Sequence, residues 1–368
     1  MSQNHFGSRI WATIRELGTG TERDRGQSGI PKFQSIAYPM LMSDSSSPTP
    51  RPNAVETASA AIAETATQTS AVGDWIVPPT SGEVITSEAT GNTYTMGEKI
   101  GEGNFGVVYS CVDVWNNNLA VKVLKPLGPY EKVKAAAEAE LGKLLFLRHP
   151  HITYVFDAFE YRATFYIVTE RCYCPLTHLF LLDAFDGLSW IMPIARCLLQ
   201  AVHYIHLNKY CHQDIHLGNV FAAFARNEMN AEDPGAIQFK LGDLGVAKLF
   251  SEIDATNTRA LWMLPPEVLD SAEFGPLDHR MDIYHCGLLL LHLLHGSELR
   301  FSVEEIKVGK PRELALQLPA PFNFALEKAL RRHVAYRTAG AMELWRDLNS
   351  PSPALPAPAE EQMTLPNS

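Results

Sequence analysis

His212-Gln213-Asp214-Ile215-His216-Leu217-Gly218-Asn219 places an acid and an amide five residues apart, directly after an apolar, helix-like run that ends at Tyr210-Cys211. An aspartate can orient a hydroxyl, and an asparagine can hold a metal ion through its amide oxygen. Those are the two polar groups that a loop for phosphoryl transfer needs. The octapeptide gains its weight from what stands before and after it.

Upstream, Gly101-Glu102-Gly103-Asn104-Phe105-Gly106-Val107-Val108 lies between two predicted strands, Tyr94–Ile100 and Val107–Val114. Glycines let a backbone approach phosphates and offer its N–H groups with no side chain in the way. This G-x-G-x-x-G does not open a helix, which counts against a dinucleotide fold. A third strand, Leu119–Leu124, carries Ala120-Val121-Lys122-Val123. The Ala-, Glu- and Lys-rich segment Glu131–Leu147 reads as a helix and carries Glu140. Taken singly, Lys122 and Glu140 are ordinary solvated charges.

With Thr153–Glu160 and Thr164–Glu170, the first part of the chain makes five strands and one helix. Beyond Cys172 the character becomes helical, with Leu188–Leu207, Met281–His295, Pro321–Val334 and Ala339–Leu348. Two short strands, Val220–Phe224 and Gln238–Leu241, flank a polar loop.

Downstream stand Leu241-Gly242-Asp243-Leu244-Gly245, then Pro265-Pro266-Glu267, Asp282-Ile283-Tyr284-His285-Cys286-Gly287, and Arg337. In this order and spacing, from about Tyr94 to Leu348, the sequence resembles the eukaryotic-type protein kinase superfamily. Asp243 falls at that family's Asp-Phe-Gly, with Leu244 for the phenylalanine. Glu267 ends the activation segment, Asp282 starts the buried central helix, and Arg337 stands where a late arginine pairs with that glutamate.

The resemblance implies an α+β, two-lobed fold: a small antiparallel-sheet lobe over 94–172 and a mostly helical lobe over 173–348. It implies ATP and Mg2+ as cofactors and a protein substrate, with autophosphorylation an expected activity. Gly101, Gly103 and Gly106 would cover the phosphates. Lys122, held by Glu140, would grip the α- and β-phosphates. Asn219 and Asp243 would hold the metal, and Asp214 would orient the attacking hydroxyl. Val108, Ala120 and Phe221 would enclose the adenine, Glu170-Arg171-Cys172 would form the hinge, and Thr169 would guard the back pocket. Leu144, Val155, His212 and Leu244 resemble the family's internal apolar column.

Three departures give the sequence its individuality. Gln213 replaces the arginine that receives an activation-loop phosphate, and a neutral amide cannot make that charge-assisted pair. Activity independent of such phosphorylation is the expectation. His216 stands where serine/threonine kinases carry a lysine that steadies the transferring group, so weaker and pH-dependent stabilisation is expected. The pattern His-x-Asp-x-His-x-Gly-Asn is also similar to small-molecule phosphotransferases, although Pro265-Pro266-Glu267, Asp282 and Arg337 speak for a peptide platform. A nucleotide-binding scaffold is the other alternative. The segment 258–267 lacks a clean Thr-x-x-Tyr arrangement, and a Ser/Thr acceptor is favoured over Tyr.

The 368 residues carry a net charge of -10, which argues against nonspecific nucleic-acid binding. Six cysteines without metal-ligand spacing read as thiols in a reducing, cytoplasmic setting. No run is long enough to span a bilayer. Residues 1–93, rich in Ser, Thr, Pro and Ala, and the tail 349–368 read as disordered.

Overall fold

The computed structural model describes residues 77–103, 106–125, 134–135, 137–138, 142–143, 146–182, 185–225, 236–245, 247–254 and 263–350. They belong to two compact units. One holds the described residues up to Phe146 together with Tyr154–Arg171; the other holds Leu147–Thr153 and the described residues from Cys172 onward.

The first unit is an antiparallel sheet of six strands: β1 (Val84–Thr86), β2 (Thr93–Glu102), β3 (Gly106–Asp113), β4 (Asn118–Leu124), β5 (Val155–Tyr161) and β6 (Thr164–Glu170). They lie in the order β1-β2-β3-β4-β6-β5. Alternation in β2 turns Tyr94 and Met96 inward, where they pack with Cys111, Val121, Val123, Phe159 and Tyr166. Tyr94 and Phe159 stack at 5.9 Å, and the Tyr94 hydroxyl donates to Asp157 Oδ2 at 2.9 Å, so this buried polar tip is satisfied. The described residues from 134 to 146 are helical.

Five of the strands coincide with the sequence reading, and β1 corrects it. The sheet begins before Tyr94, inside the stretch assigned to a disordered arm. Ile85 pairs with Tyr94 and is 1% exposed. A three-residue strand with a single inward side chain is too short for periodicity to reveal. The rest of the predicted arm (1–76) and the tail from 351 lie outside the described residues.

The second unit is built on two long helices. Gly187–Leu207 starts at Asp186, whose carboxylate accepts the N–H groups of Leu188 and Ser189 at 3.1 and 3.2 Å, a regular N-cap. Arg280–His295 is buried on nearly every face, as befits a central helix. The two approach closely at Gly187, where an added Cβ would collide with the Leu293 carbonyl. Smaller helices of the unit include Val303–Val308, Lys310–Leu316, Phe322–Ala329 and Ala341–Asn349.

Short strands frame the loop that matters most. β7 (Cys174–Pro175), β9 (Val220–Ala225) and β10 (Ala236–Leu241) form a three-stranded sheet, and β8 (Tyr210–Cys211) pairs with β11 (Lys248–Leu249). The octapeptide 212–219 therefore leaves from one small sheet and enters the other. No helix among the described residues is long and apolar enough to cross a membrane, and none of the six cysteines is in a disulfide.

Candidate active site

Asp282 organises the loop from below. Its side chain is fully buried, and it accepts the backbone N–H of His212 at 2.7 Å through Oδ2 and that of Gln213 at 2.7 Å through Oδ1. His206 Nε2 stands 2.9 Å from the same Oδ2. Burial pushes this carboxyl upward, but the His206 contact and the nearby His212 and His285 rings prevail and hold it well below the ordinary aspartate value. A buried aspartate with three donors is satisfied, and it fixes the backbone where Gln213 adopts a positive φ of 68°.

His212 ties this base to the next strand turn. Its Nδ1 accepts the Asp214 N–H at 3.3 Å, and its Nε2 faces the Gly242 carbonyl at 3.0 Å. With Nδ1 accepting, the ring proton sits on Nε2 and donates to that carbonyl. Gly242 in turn donates its N–H to the Asn219 carbonyl at 2.8 Å. A Cβ at Gly242 would stand 2.7 Å from the Phe221 ring, so glycine is what lets the segment lie against β9. The segments carrying Asp214, Asn219 and Asp243 are thereby laced together by backbone contacts.

Asn219 is turned by its amide nitrogen, which donates to the Asp214 carbonyl at 2.9 Å and to Asp214 Oδ2 at 3.1 Å. With the nitrogen engaged on those two acceptors, the amide oxygen is the atom of this side chain that suits a hard cation. Asp243, at φ 55°, accepts the Gly245 N–H at 3.3 Å. Among the described residues no three His, Cys, Asp or Glu side chains gather into a closed metal cage. One carboxylate and one amide oxygen fit a small hard cation that takes its other ligands from phosphates and water.

Burial raises the Asp214 carboxyl, and the His216 ring, with His212 and His285, lowers it below the ordinary value, so it is an anion at neutral pH. His216 Nε2 lies 3.7 Å from Asp214 Oδ2, and His216 Nδ1 accepts the Gly218 N–H at 3.0 Å.

In the sheet unit, Lys122 sits half-buried on β4, in register with Val108 on β3 and Ile167 on β6. Ala120 is buried opposite Thr169, whose hydroxyl lies 3.5 Å from the Ala120 carbonyl. Glu170 closes β6, with its side chain on the Tyr154 N–H at 2.7 Å. The three loop glycines differ in what they demand. A Cβ on Gly106 would meet the Val123 carbonyl at 2.7 Å, whereas one on Gly103 would meet nothing within 4 Å. The Gly103 N–H donates to the Gly106 carbonyl at 2.9 Å, closing the turn.

Sequence reasoning passed over one feature of this loop. Lys125 reaches back to Glu102 at 2.6 Å and to the Gly103 carbonyl at 3.0 Å, while Lys99 meets Glu102 at 2.5 Å. Lys125 first, then Lys99, brings the Glu102 carboxyl down to about 2. No motif marks such a clamp, because it joins exposed charges across a turn.

The proposed site residues thus fall into two sets. Gly101, Gly103, Gly106, Val108, Ala120, Lys122, Thr169 and Glu170 share the sheet unit. Cys172, Asp214, His216, Asn219, Phe221 and Asp243 belong to the helical unit, with the division between Arg171 and Cys172. Glu140, Leu144 and residues 255–262 lie outside the described residues.

The platform beyond the loop matches its expectation. Arg337 meets Glu267 through two hydrogen bonds and lies over the Tyr284 ring at 5.0 Å.

The fold and these motifs define a phosphoryl-transfer domain, and comparison with known proteins agrees. The protein kinase domain family matches residues 94–330. The chain belongs to the protein kinase family. It is 28% identical over 228 residues to the RAF proto-oncogene serine/threonine-protein kinase of Xenopus laevis, covering 60% of this chain and 32% of that protein. It is 26% identical over 231 residues to the serine/threonine-protein kinase A-Raf of Mus musculus, covering 61% of this chain and 34% of that one. The chain spans about a third of the length of these relatives.

Proposed function

We propose that this chain is an ATP- and magnesium-dependent protein kinase that transfers the γ-phosphate to a serine or threonine hydroxyl of a protein substrate. The observation that carries the reading is the Asp214–Asn219 pair, held by two hydrogen bonds on a loop pinned to buried Asp282 and laced to the Asp243 segment. Serine/threonine specificity draws on the names of the relatives.

Asp214 would accept the hydroxyl proton and orient the oxygen. Asn219 would lend its amide oxygen, and Asp243 its carboxylate, to magnesium. Magnesium when bound supplies positive charge against the phosphate oxygens. Gly101, Gly103 and Gly106 would bring backbone N–H groups to the phosphates, and Lys122 would grip them. Such a site works by positioning and charge, with no covalent chemistry of its own.

The reading includes activity without activation-loop phosphorylation. Gln213 cannot receive a phosphate by charge, and Lys248, two residues before Phe250 on the same segment, already pairs with Asp254 at 2.8 Å. A carboxylate of the chain itself occupies the lysine.

The test is transfer of radiolabelled phosphate from ATP with magnesium, on wild type beside Asp243→Asn and Lys122→Met. Both variants lose transfer. Activity that survived both changes would sink the assignment, and thermal stabilisation by ATP with no transfer at all would leave a binding scaffold.

A further inference from the structure

Two donors converge on one oxygen of Asp214. Asn219 Nδ2 is 3.1 Å from Oδ2, and His216 Nε2 faces the same Oδ2 at 3.7 Å. Both of these contacts fall on Oδ2. The His216 ring is not free to swing. Gly218 donates its N–H to Nδ1 at 3.0 Å, and an accepting nitrogen carries no proton, so the ring proton sits on Nε2, the side of Asp214. The fit is close, since a Cβ on Gly218 would stand 2.8 Å from His216 Cε1 and 3.0 Å from Nδ1.

We propose that His216 is a positioning residue: a fixed N–H donor that, with Asn219, holds Asp214 by Oδ2 and leaves Oδ1 to receive the proton of the acceptor hydroxyl. This rests on the reading of Asp214 as the group that orients that hydroxyl. The hydroxyl oxygen forms its bond to the γ-phosphorus, the bond from that phosphorus to the β,γ-bridging oxygen breaks, and its electron pair leaves with ADP. The hydroxyl proton ends on Asp214 Oδ1. At 3.7 Å the His216 contact is an attraction short of a hydrogen bond, and contacts of this kind tighten when substrate fills a site.

The proposal differs from the expectation that His216 stands in for lysine as a source of charge. A lysine has three donors and no acceptor. It would leave the Gly218 N–H without its partner and the loop without its brace, so His216→Lys is not an improvement. Glutamine can set an amide N–H where Nε2–H stood, whereas asparagine keeps only an acceptor near the Nδ1 place.

The experiment compares steady-state transfer to dephosphorylated casein by wild type and by His216→Lys, His216→Ala, His216→Gln and His216→Asn. The His216→Lys, His216→Ala and His216→Asn variants are expected to lose about tenfold or more in kcat, with KM for ATP little changed. His216→Gln recovers most of that loss. Ring-nitrogen NMR of 15N-histidine protein, assigned by the resonance missing in His216→Gln, shows a bare Nδ1 and a protonated Nε2. A lysine variant as fast as wild type overturns the proposal, and so does a ring protonated on Nδ1. If the lysine, alanine and asparagine variants do not fold, the wild-type spectrum, assigned through His216→Gln, decides. Wild type without any transfer defeats the reading of Asp214, and a correct tautomer would then mark His216 as structural only.

Discussion

The Glu267 carboxylate and the Arg337 guanidinium meet through two hydrogen bonds of 2.6 and 2.7 Å, and neither side chain reaches solvent. Arg337 also donates to the carbonyls of Arg331, Arg280 and Arg332, so its charge is fully used. Breaking a buried pair strands the remaining charge. Arg337→Met is expected to cost about 3–5 kcal/mol in urea denaturation, and adding Glu267→Leu recovers part of that loss. A double variant no more stable than the single one would show that the carbonyl contacts, and not the pair, dominate.

Asp282 serves two backbone N–H groups and one histidine at once. Asp282→Ala leaves the N–H groups of His212 and Gln213 buried without acceptors, each at roughly 1–3 kcal/mol. Because those residues begin the catalytic loop, kcat falls along with the urea midpoint. Since its folded carboxyl lies below the ordinary value of 3.8, the stability it contributes is present above that value and is lost as pH falls below it. The variant's acid limb should therefore be flatter than that of wild type.

The loop glycines separate folding from nucleotide handling. Gly106→Ala places a methyl 2.7 Å from the Val123 carbonyl. A shift of β3 against β4 follows, at about 1–3 kcal/mol by thermal melting. Gly103→Ala meets nothing within 4 Å. Its melting temperature stays at the wild-type value, while KM for ATP rises because the methyl stands where a ligand would approach.

His292 lies 2% exposed in the central helix, and burial brings its imidazole down to about 4. In the unfolded chain it takes a proton near 6.5, so the unfolded state binds more protons between these values. Stability is lost as pH falls from about 6.5 to about 4, on the order of 3 kcal/mol from this group. His292→Leu should flatten that stretch of the urea-midpoint profile, and an unchanged slope would assign it elsewhere.

Phosphatase treatment tests regulation. If the Lys248–Asp254 pair and Gln213 mean what is proposed, treated and untreated protein differ by no more than about twofold in kcat, since no charge-assisted phosphate pair is lost. A collapse of activity after treatment would contradict it.

Motif order carried the family, and strand patterning carried five of the six strands of the first unit's sheet. The proposed site residues Asp214, Asn219 and Asp243 stood out in the sequence because their spacing is tied to a backbone path. Their supports were not. Asp282 could be placed at the start of a helix, but nothing in its neighbours tells that it accepts N–H groups from residues 70 and 69 positions away. A charged residue within an apolar helical run must find partners, and that question would have pointed to it. The Gly218 brace on His216 was hidden because a glycine beside a histidine has no periodic signature. The Lys125 clamp on Glu102 was hidden because exposed charges look alike in a sequence.

The positive φ of Gln213 has an evolutionary consequence. The backbone there is held by Asp282, whatever the side chain does, and an unbranched residue bears that conformation at similar cost whether it ends in an amide or a guanidinium. The hold that Asp282 takes on this backbone N–H is therefore the same whether glutamine or arginine stands here, even though the Gln213 side chain is itself buried. Under the proposed reading, one codon change at this position exchanges a guanidinium that can receive a phosphate for a neutral amide, over the same backbone hold.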